Sequence, residues 1–220
     1  MSIKPATKDD RSAVYDILSR FLSRYEWTEG RLSTLRDKVF CKYSRMGNLD
    51  EVGLDSMLRK YQDVTMREQS LYLYLEPIKR KNILPLVTIQ SSDEWVHFRI
   101  YALITMLDDN MDIQSLAVRF ETDEGYPDPT ASVGSHDFCH AQLCEAIGSV
   151  ARASTPEWLP TSQPSFPLDA DNQVSLVLCM LTSIYGGAHV RGKLTASGDR
   201  SLLDHLNKVR ALKTPCQTEE

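Results

Sequence analysis

The sequence predicts an α+β fold with N-terminal helices, a central and mainly antiparallel sheet, and C-terminal helices. Up to about residue 80, apolar side chains recur every three to four residues; between about 83 and 144 they recur every second residue. From about 169 the helical spacing returns. Helices and strands are thus segregated along the chain, which excludes a regular βαβ alternation. At 220 residues the chain can bury a sizeable core without disulfide or metal staples. Residues 1–80 are expected as a helical region and 81–220 as an α+β body, the two forming one compact unit.

The first helix starts at Thr7, with Asp10 three residues on as in a capping box. Val14, Ile17, Leu18, Phe21, Leu22 and Tyr25 then share one stripe. A second helix begins near Thr28, carries Leu32, Leu35, Val39 and Tyr43, and stops at Gly47-Asn48. A third begins at Asp50 with Leu54, Met57, Leu58 and Tyr61. Short connections favour antiparallel packing of the three. Residues 70–76, SLYLYLE, alternate Leu and Tyr as a strand would but follow a helix-favouring MREQ, and are taken as a continuing helix.

Residues 83–90 read as a strand that Pro85 should place at an edge or make irregular at its start. In residues 95–106, Val96, Phe98, Ile100, Ala102, Ile104 and Met106 lie on one face; Leu116, Val118 and Phe120 do the same in 113–121. The intervening Asp-Asp-Asn-Met-Asp is turn chemistry. Centring a hairpin on Asn110 pairs Ile104 with Leu116, Ala102 with Val118 and Ile100 with Phe120, so that apolar meets apolar throughout. Residues 125–134 form a loop. In 136–144, alternation favours a strand with His136, Phe138, His140 and Gln142 on one side, although a helix from about Ala141 also fits. The proline-rich 154–167 reads as an irregular crossing segment. Asp169 or Asp171 can cap a buried helix that runs through Tyr185 and ends at Gly186-Gly187, and residues 199–212 form a last amphipathic helix.

No apolar run reaches the roughly 20 residues of a membrane span, and the N-terminal MSIKPATKDDR has no apolar segment behind its charges, so a soluble, cytoplasmic chain is expected. The five cysteines are scattered without a C-x-x-C pair, which argues against a disulfide framework or zinc knuckle; Cys179 is expected in the core. The glycines form neither G-x-G-x-x-G nor a P-loop, and no G-x-S-x-G elbow occurs. The acidic turn has Ile113 and Arg119 where a calcium loop needs Gly and Glu. HDFCH lacks the glutamate placement of a zinc-protease helix, and neither a metal nor a cofactor is expected.

Charge is uneven. Residues 1–81 hold 16 Lys and Arg against 12 Asp and Glu, whereas 82–220 hold 9 against 18. Between 82 and 171 the only bases are Arg99, Arg119 and Arg152, against 14 acids, so this stretch repels a polyanion and nucleic acid is not a favoured partner. The hairpin register puts Arg99 opposite Glu121 and His97 near Asp123 on the face away from the apolar residues, beside Arg119. A third strand would bring His136 and His140 to the same face. His97, Arg99, Arg119, Glu121, His136 and His140 would then supply acid, base and anion-steadying groups for metal-independent ribonuclease or related phosphodiesterase chemistry. Arg99 with Glu121 is equally an ordinary cross-strand pair. With no strong catalytic motif, the preferred expectation is a non-catalytic binding or accessory protein acting through protein contacts or self-association, oriented by its basic front and acidic body.

Overall fold

The computed structural model describes residues 6–22, 30–31, 33–35, 37–38, 73–91, 98–121, 139–144, 146–147, 151–152, 165–168, 170, 172–196, 198 and 200–208. Within these, an N-terminal helix α1 (Lys8–Phe21) precedes the strands β1 (Leu73–Tyr74), β2 (Ile83–Ser91), β3 (Phe98–Leu107), β4 (Ile113–Glu121), β5 (His140–Cys144), β6 (Ala146–Ile147), β7 (Ala151–Arg152) and β8 (Ser165–Pro167). Helices α2 (Gln173–Tyr185), α3 (Gly187–Thr195) and α4 (Arg200–Lys208) follow. This is the expected α+β order. No single helix among the described residues is long and apolar enough to cross a membrane. Helical residues at 31, 33–35 and 37–38 fall within the expected second helix. The expected third helix and the 125–134 loop lie outside the described residues.

α1 begins as its sequence dictates: Thr7 accepts the Asp10 amide at 3.1 Å, and Asp10 accepts the Thr7 amide at 2.9 Å. It stops at Phe21, short of Tyr25, because Leu22 turns extended and bridges to Leu75 at the sheet edge. Val14, Ile17, Leu18 and Phe21 are fully buried, each worth about 1.5–3 kcal/mol of apolar transfer.

The sheet is an antiparallel meander in the order β1-β2-β3-β4-β5-β8, with β6 and β7 paired separately. The β3–β4 register has the expected partners, Ile104 with Leu116, Ala102 with Val118 and Ile100 with Phe120. Asp108 organises the turn, its Oδ1 accepting the Asn110 and Asp112 amides at 2.9 and 2.8 Å. Three expectations are corrected here. Leu73–Tyr74 is strand, because both residues bury (1% and 5% exposed) by pairing on opposite faces with Val87 and Leu86. Pro85 sits in a regular strand that is second from the edge: Leu75 donates to its carbonyl at 2.9 Å, so its hydrogen-free nitrogen points to the place where β1 pairing ends. Within the proline-rich segment, Ser165–Pro167 pairs with β5 as the opposite edge, where a proline is tolerated.

One sheet face, carrying Val87, Ile89, Phe98, Ile100, Ala102, Phe120 and Ala141, packs with α1 and α2 in the main core. α2 is buried without a break from Gln173 to Leu181, which accounts for its all-round apolarity; Cys179 lies there as expected. Its cap is Asn172, whose side chain accepts the Ser175 amide at 2.8 Å, in place of the expected Asp169 or Asp171. Gly186, at φ 83°, ends α2 and turns the chain by 120° straight into α3, a helix the sequence reading did not include. Lys193 of α3 ties these parts together: it pairs with Glu76, donates to the Arg20 carbonyl at 2.8 Å and lies over the Phe21 ring.

The opposite face has two halves. Toward the β3–β4 turn it is buried and mostly apolar, with Leu84, Leu86, Leu103 and Ala117 beside the buried pair Thr105 and Ser115. Leu35 is buried too, and its neighbours Arg31 and Lys38 donate to the carbonyls of Asp108 and Met111 in that turn. Away from the turn the same face becomes polar.

Candidate functional site

The polar half is built by strand alternation on three adjacent strands. Arg99 comes from β3, Arg119 and Glu121 from β4, and His140 and Gln142 from β5; residues two apart share a face. Glu121, on the middle strand, is opposite Arg99 on one side and His140 on the other, while Arg119 is opposite Tyr101 and Gln142. A carboxylate is thereby placed where three cationic or donor groups converge.

Its oxygens divide them. Oε1 lies 2.7 Å from His140 Nε2 and 2.9 Å from Arg119 Nη2. Oε2 lies 2.8 Å from Arg99 Nε, an ion pair whose direction falls short of a hydrogen bond, leaving Oε2 a buried oxygen held by charge. Burial is the largest single influence on the Glu121 carboxyl and pushes its pKa up. The His140 hydrogen bond and the charges of Arg119, Arg99 and His140 together outweigh it, so the net shift is downward and the group stays ionised at neutral pH. Arg119 Nη2 also donates to Gln142 Oε1.

Of the six residues expected to form a site, the fold therefore brings together Arg99, Arg119, Glu121 and His140. The alternation argument for His140 holds, and Cys139 points the other way into the core. His97 and His136 lie outside the described residues, as does Asp123. Gln142 was placed on this face by the same alternation but given no role; its carbonyl oxygen completes the support of Arg119. Among the described residues, two guanidiniums meet one carboxylate here. Among the described residues no group of three His, Cys, Asp or Glu is arranged to hold a metal.

Exposure separates the members chemically. Glu121 and His140 are 6% and 5% exposed, whereas the Arg99 and Arg119 side chains keep 34% and 28% of their surface. General acid–base work needs the imidazole within reach of a substrate proton, and His140 Nε2 is committed to Glu121. Comparison with protein-family models, with curated proteins and with solved structures finds no match, so the geometry alone carries the functional reading.

Proposed function

We propose that this chain is a non-catalytic binding protein that engages a protein partner, or a second copy of itself, through the polar half of its sheet, with Arg99 and Arg119 as the contact groups. The observation that carries this reading is the division of exposure just described: the Glu121–His140 pair is buried, and the two permanent cations keep about a third of their side-chain surface. Glu121, His140 and Gln142 act as the frame that fixes the guanidiniums in place. The acidic stretch around them steers against nucleic acid and toward a partner with local rather than extended negative charge. The test combines sedimentation with capture of the tagged chain from its own cells, comparing wild type with Arg119→Gln and Arg99→Gln. The reading expects self-association or a recovered partner, weakened in both variants. A strict monomer that recovers nothing rejects it.

A second reading, metal-independent phosphodiester cleavage, is favoured by the 2.7 Å contact between Glu121 and His140, which resembles a carboxylate-oriented general base. It expects RNA or a cyclic phosphodiester to be cleaved in the presence of a chelator, with His140→Ala inactive. It fails if purified protein cleaves neither, or if His140→Ala leaves the activity intact.

A further inference from the structure

Two turns of opposite charge close hairpins at one end of the sheet. The first is the 3₁₀ turn Lys79–Lys81, where the Ile78–Ile83 bridge leads the chain from β1 into β2. The second is the β3–β4 turn with Asp108, Asp109 and Asp112. Ile83 pairs with Met106 and Leu107 with Ile113, so both turns lie at the same end. In the order β1-β2-β3-β4 their centres are two strand spacings apart, about 10 Å. Lys79, Lys81 and Asp112 are exposed and make no ion pair among the described residues. Asp109 is fully exposed, and Arg31 comes no nearer to its carboxylate than 3.9 Å. Arg31 and Lys38 donate to the Asp108 and Met111 carbonyls; even with both counted, the turn's three acids outnumber them.

Apolar surface is exposed at the same place. Met106, Met111 and Leu116, at 41, 36 and 39% exposure, are the large apolar side chains left open among the described residues, and all three belong to this hairpin end. Met111 also holds a positive φ of 65° in the turn, a conformation that Gly or Asn adopts at lower cost. Met106 and Leu116 continue the face on which Ile100, Ala102 and Phe120 are buried further along. The helical cover has thinned by Ile104 and Val118, which are only partly buried.

We propose that this end of the sheet is a contact between two copies of the chain, paired end to end about a two-fold axis. An axis normal to the sheet and just beyond it, between β2 and β3, exchanges the two corners. Each copy's Lys79 and Lys81 then face the other's Asp109 and Asp112, and Met106 and Met111 come into the contact. A surface carrying both signs in this order is complementary to itself, whereas a partner of single charge is repelled at one corner. The inference goes beyond the binding reading above and does not depend on it, because Arg99 and Glu121 pair toward the opposite end of the same strands. Two turns and three apolar side chains make a contact below the roughly 1,200 Å² of stable complexes, so the expected dissociation constant is about 10–100 µM.

The test is sedimentation equilibrium of the full-length chain from about 5 to about 300 µM at low salt, with circular dichroism as the check on folding. The expected result is a reversible monomer–dimer equilibrium that weakens about tenfold in about 0.5 M salt and at least about tenfold in Met106→Asp. Lys79→Glu with Lys81→Glu, and Asp109→Lys with Asp112→Lys, should each be monomeric. An equimolar mixture of the two should dimerise again, since each corner then faces the opposite sign. If Asp112→Lys disturbs the turn, Asp109→Lys alone, at a fully exposed position, takes its place in the mixture. A chain that stays monomeric across the whole concentration range overturns the proposal, as does a mixture no more associated than its parts. A dimer that survives both charge reversals but is lost in Arg119→Gln also overturns it and assigns self-association to the polar half. A dimer lost in the charge reversals and kept in Arg119→Gln supports it and leaves the polar half for another partner.

Discussion

Replacing Glu121 by Gln removes the charge around which the polar half of the sheet is assembled while keeping the side chain's shape. The carboxylate holds three contacts of 2.7 to 2.9 Å at 8% side-chain exposure. The amide oxygen can keep the hydrogen bond from His140 Nε2, but the amide NH2 then stands where Oε2 faced Arg99, donor against donor. Breaking a fully buried ion pair costs about 3–5 kcal/mol. Arg99 and Arg119 retain about a third of their exposure and can rehydrate, so the expected loss at pH 7 is about 2–3 kcal/mol. For a chain of this size that is a fall of about 4–12 °C in Tm. Because the Glu121 carboxyl titrates below its ordinary 4.5 when folded, its contribution is complete above that value. It is lost as the pH falls through the depressed folded-state pKa. Urea denaturation of wild type and variant should therefore give a constant gap from pH 7 to about 5.5 that closes in more acid solution. A gap under about 0.5 kcal/mol at pH 7, the size of an ordinary surface substitution, or a gap that widens in acid, refutes the reasoning.

Further outcomes follow from the core, the caps and one buried phenol. Leu178→Ala, at a fully buried position of α2, should cost about 2–5 kcal/mol in urea denaturation; a cost below 1 kcal/mol would mean α2 is not central to the core. Thr7→Ala and Asn172→Ala each remove a side-chain cap and should each cost about 1 kcal/mol, with no change if the caps do not form. Burial pushes the Tyr15 phenol up to about 12, outweighing the opposing charge of Arg11. Its folded pKa thus exceeds the unfolded 10.0, so its contribution is complete below pH 10 and is lost as the pH rises through about 12. Tyr15→Phe should make the alkaline decline in stability shallower, and an unchanged decline would place that phenol in water.

The β3–β4 hairpin was legible because two long strands repeat their apolar residues every second position and enclose recognisable turn chemistry. That register alone put Arg99 opposite Glu121. His140 was legible for the same reason, since alternation from Phe138 and Gln142 leaves it one side to occupy. The pieces that were not legible are short. β1, β6, β7 and β8 have two or three residues each, too few for a period to form, and their pairing is decided by tertiary neighbours. α3 was missed because Gly186-Gly187 reads as a stop, whereas only Gly186 takes a positive φ and the chain resumes a helix at once. The cap of α2 went to Asn172 rather than to either nearby Asp because the helix starts at Gln173, one residue later than an Asp171 cap and three later than an Asp169 cap would place it. Gln142 carried no charge to draw notice, and only contact with Arg119 reveals its part.

The claim on which the account turns is that Glu121 collects guanidiniums from neighbouring strands into one coupled unit. A double-mutant cycle between Glu121→Gln and Arg119→Gln, read by urea denaturation at pH 7, tests it most directly. Residues in one ion-pair network couple by about 0.5–3 kcal/mol, and distant pairs add. The account predicts a coupling of about 1–2 kcal/mol for this pair, with Glu121→Gln and Leu178→Ala additive as the reference. Additivity between Glu121 and Arg119 would contradict it.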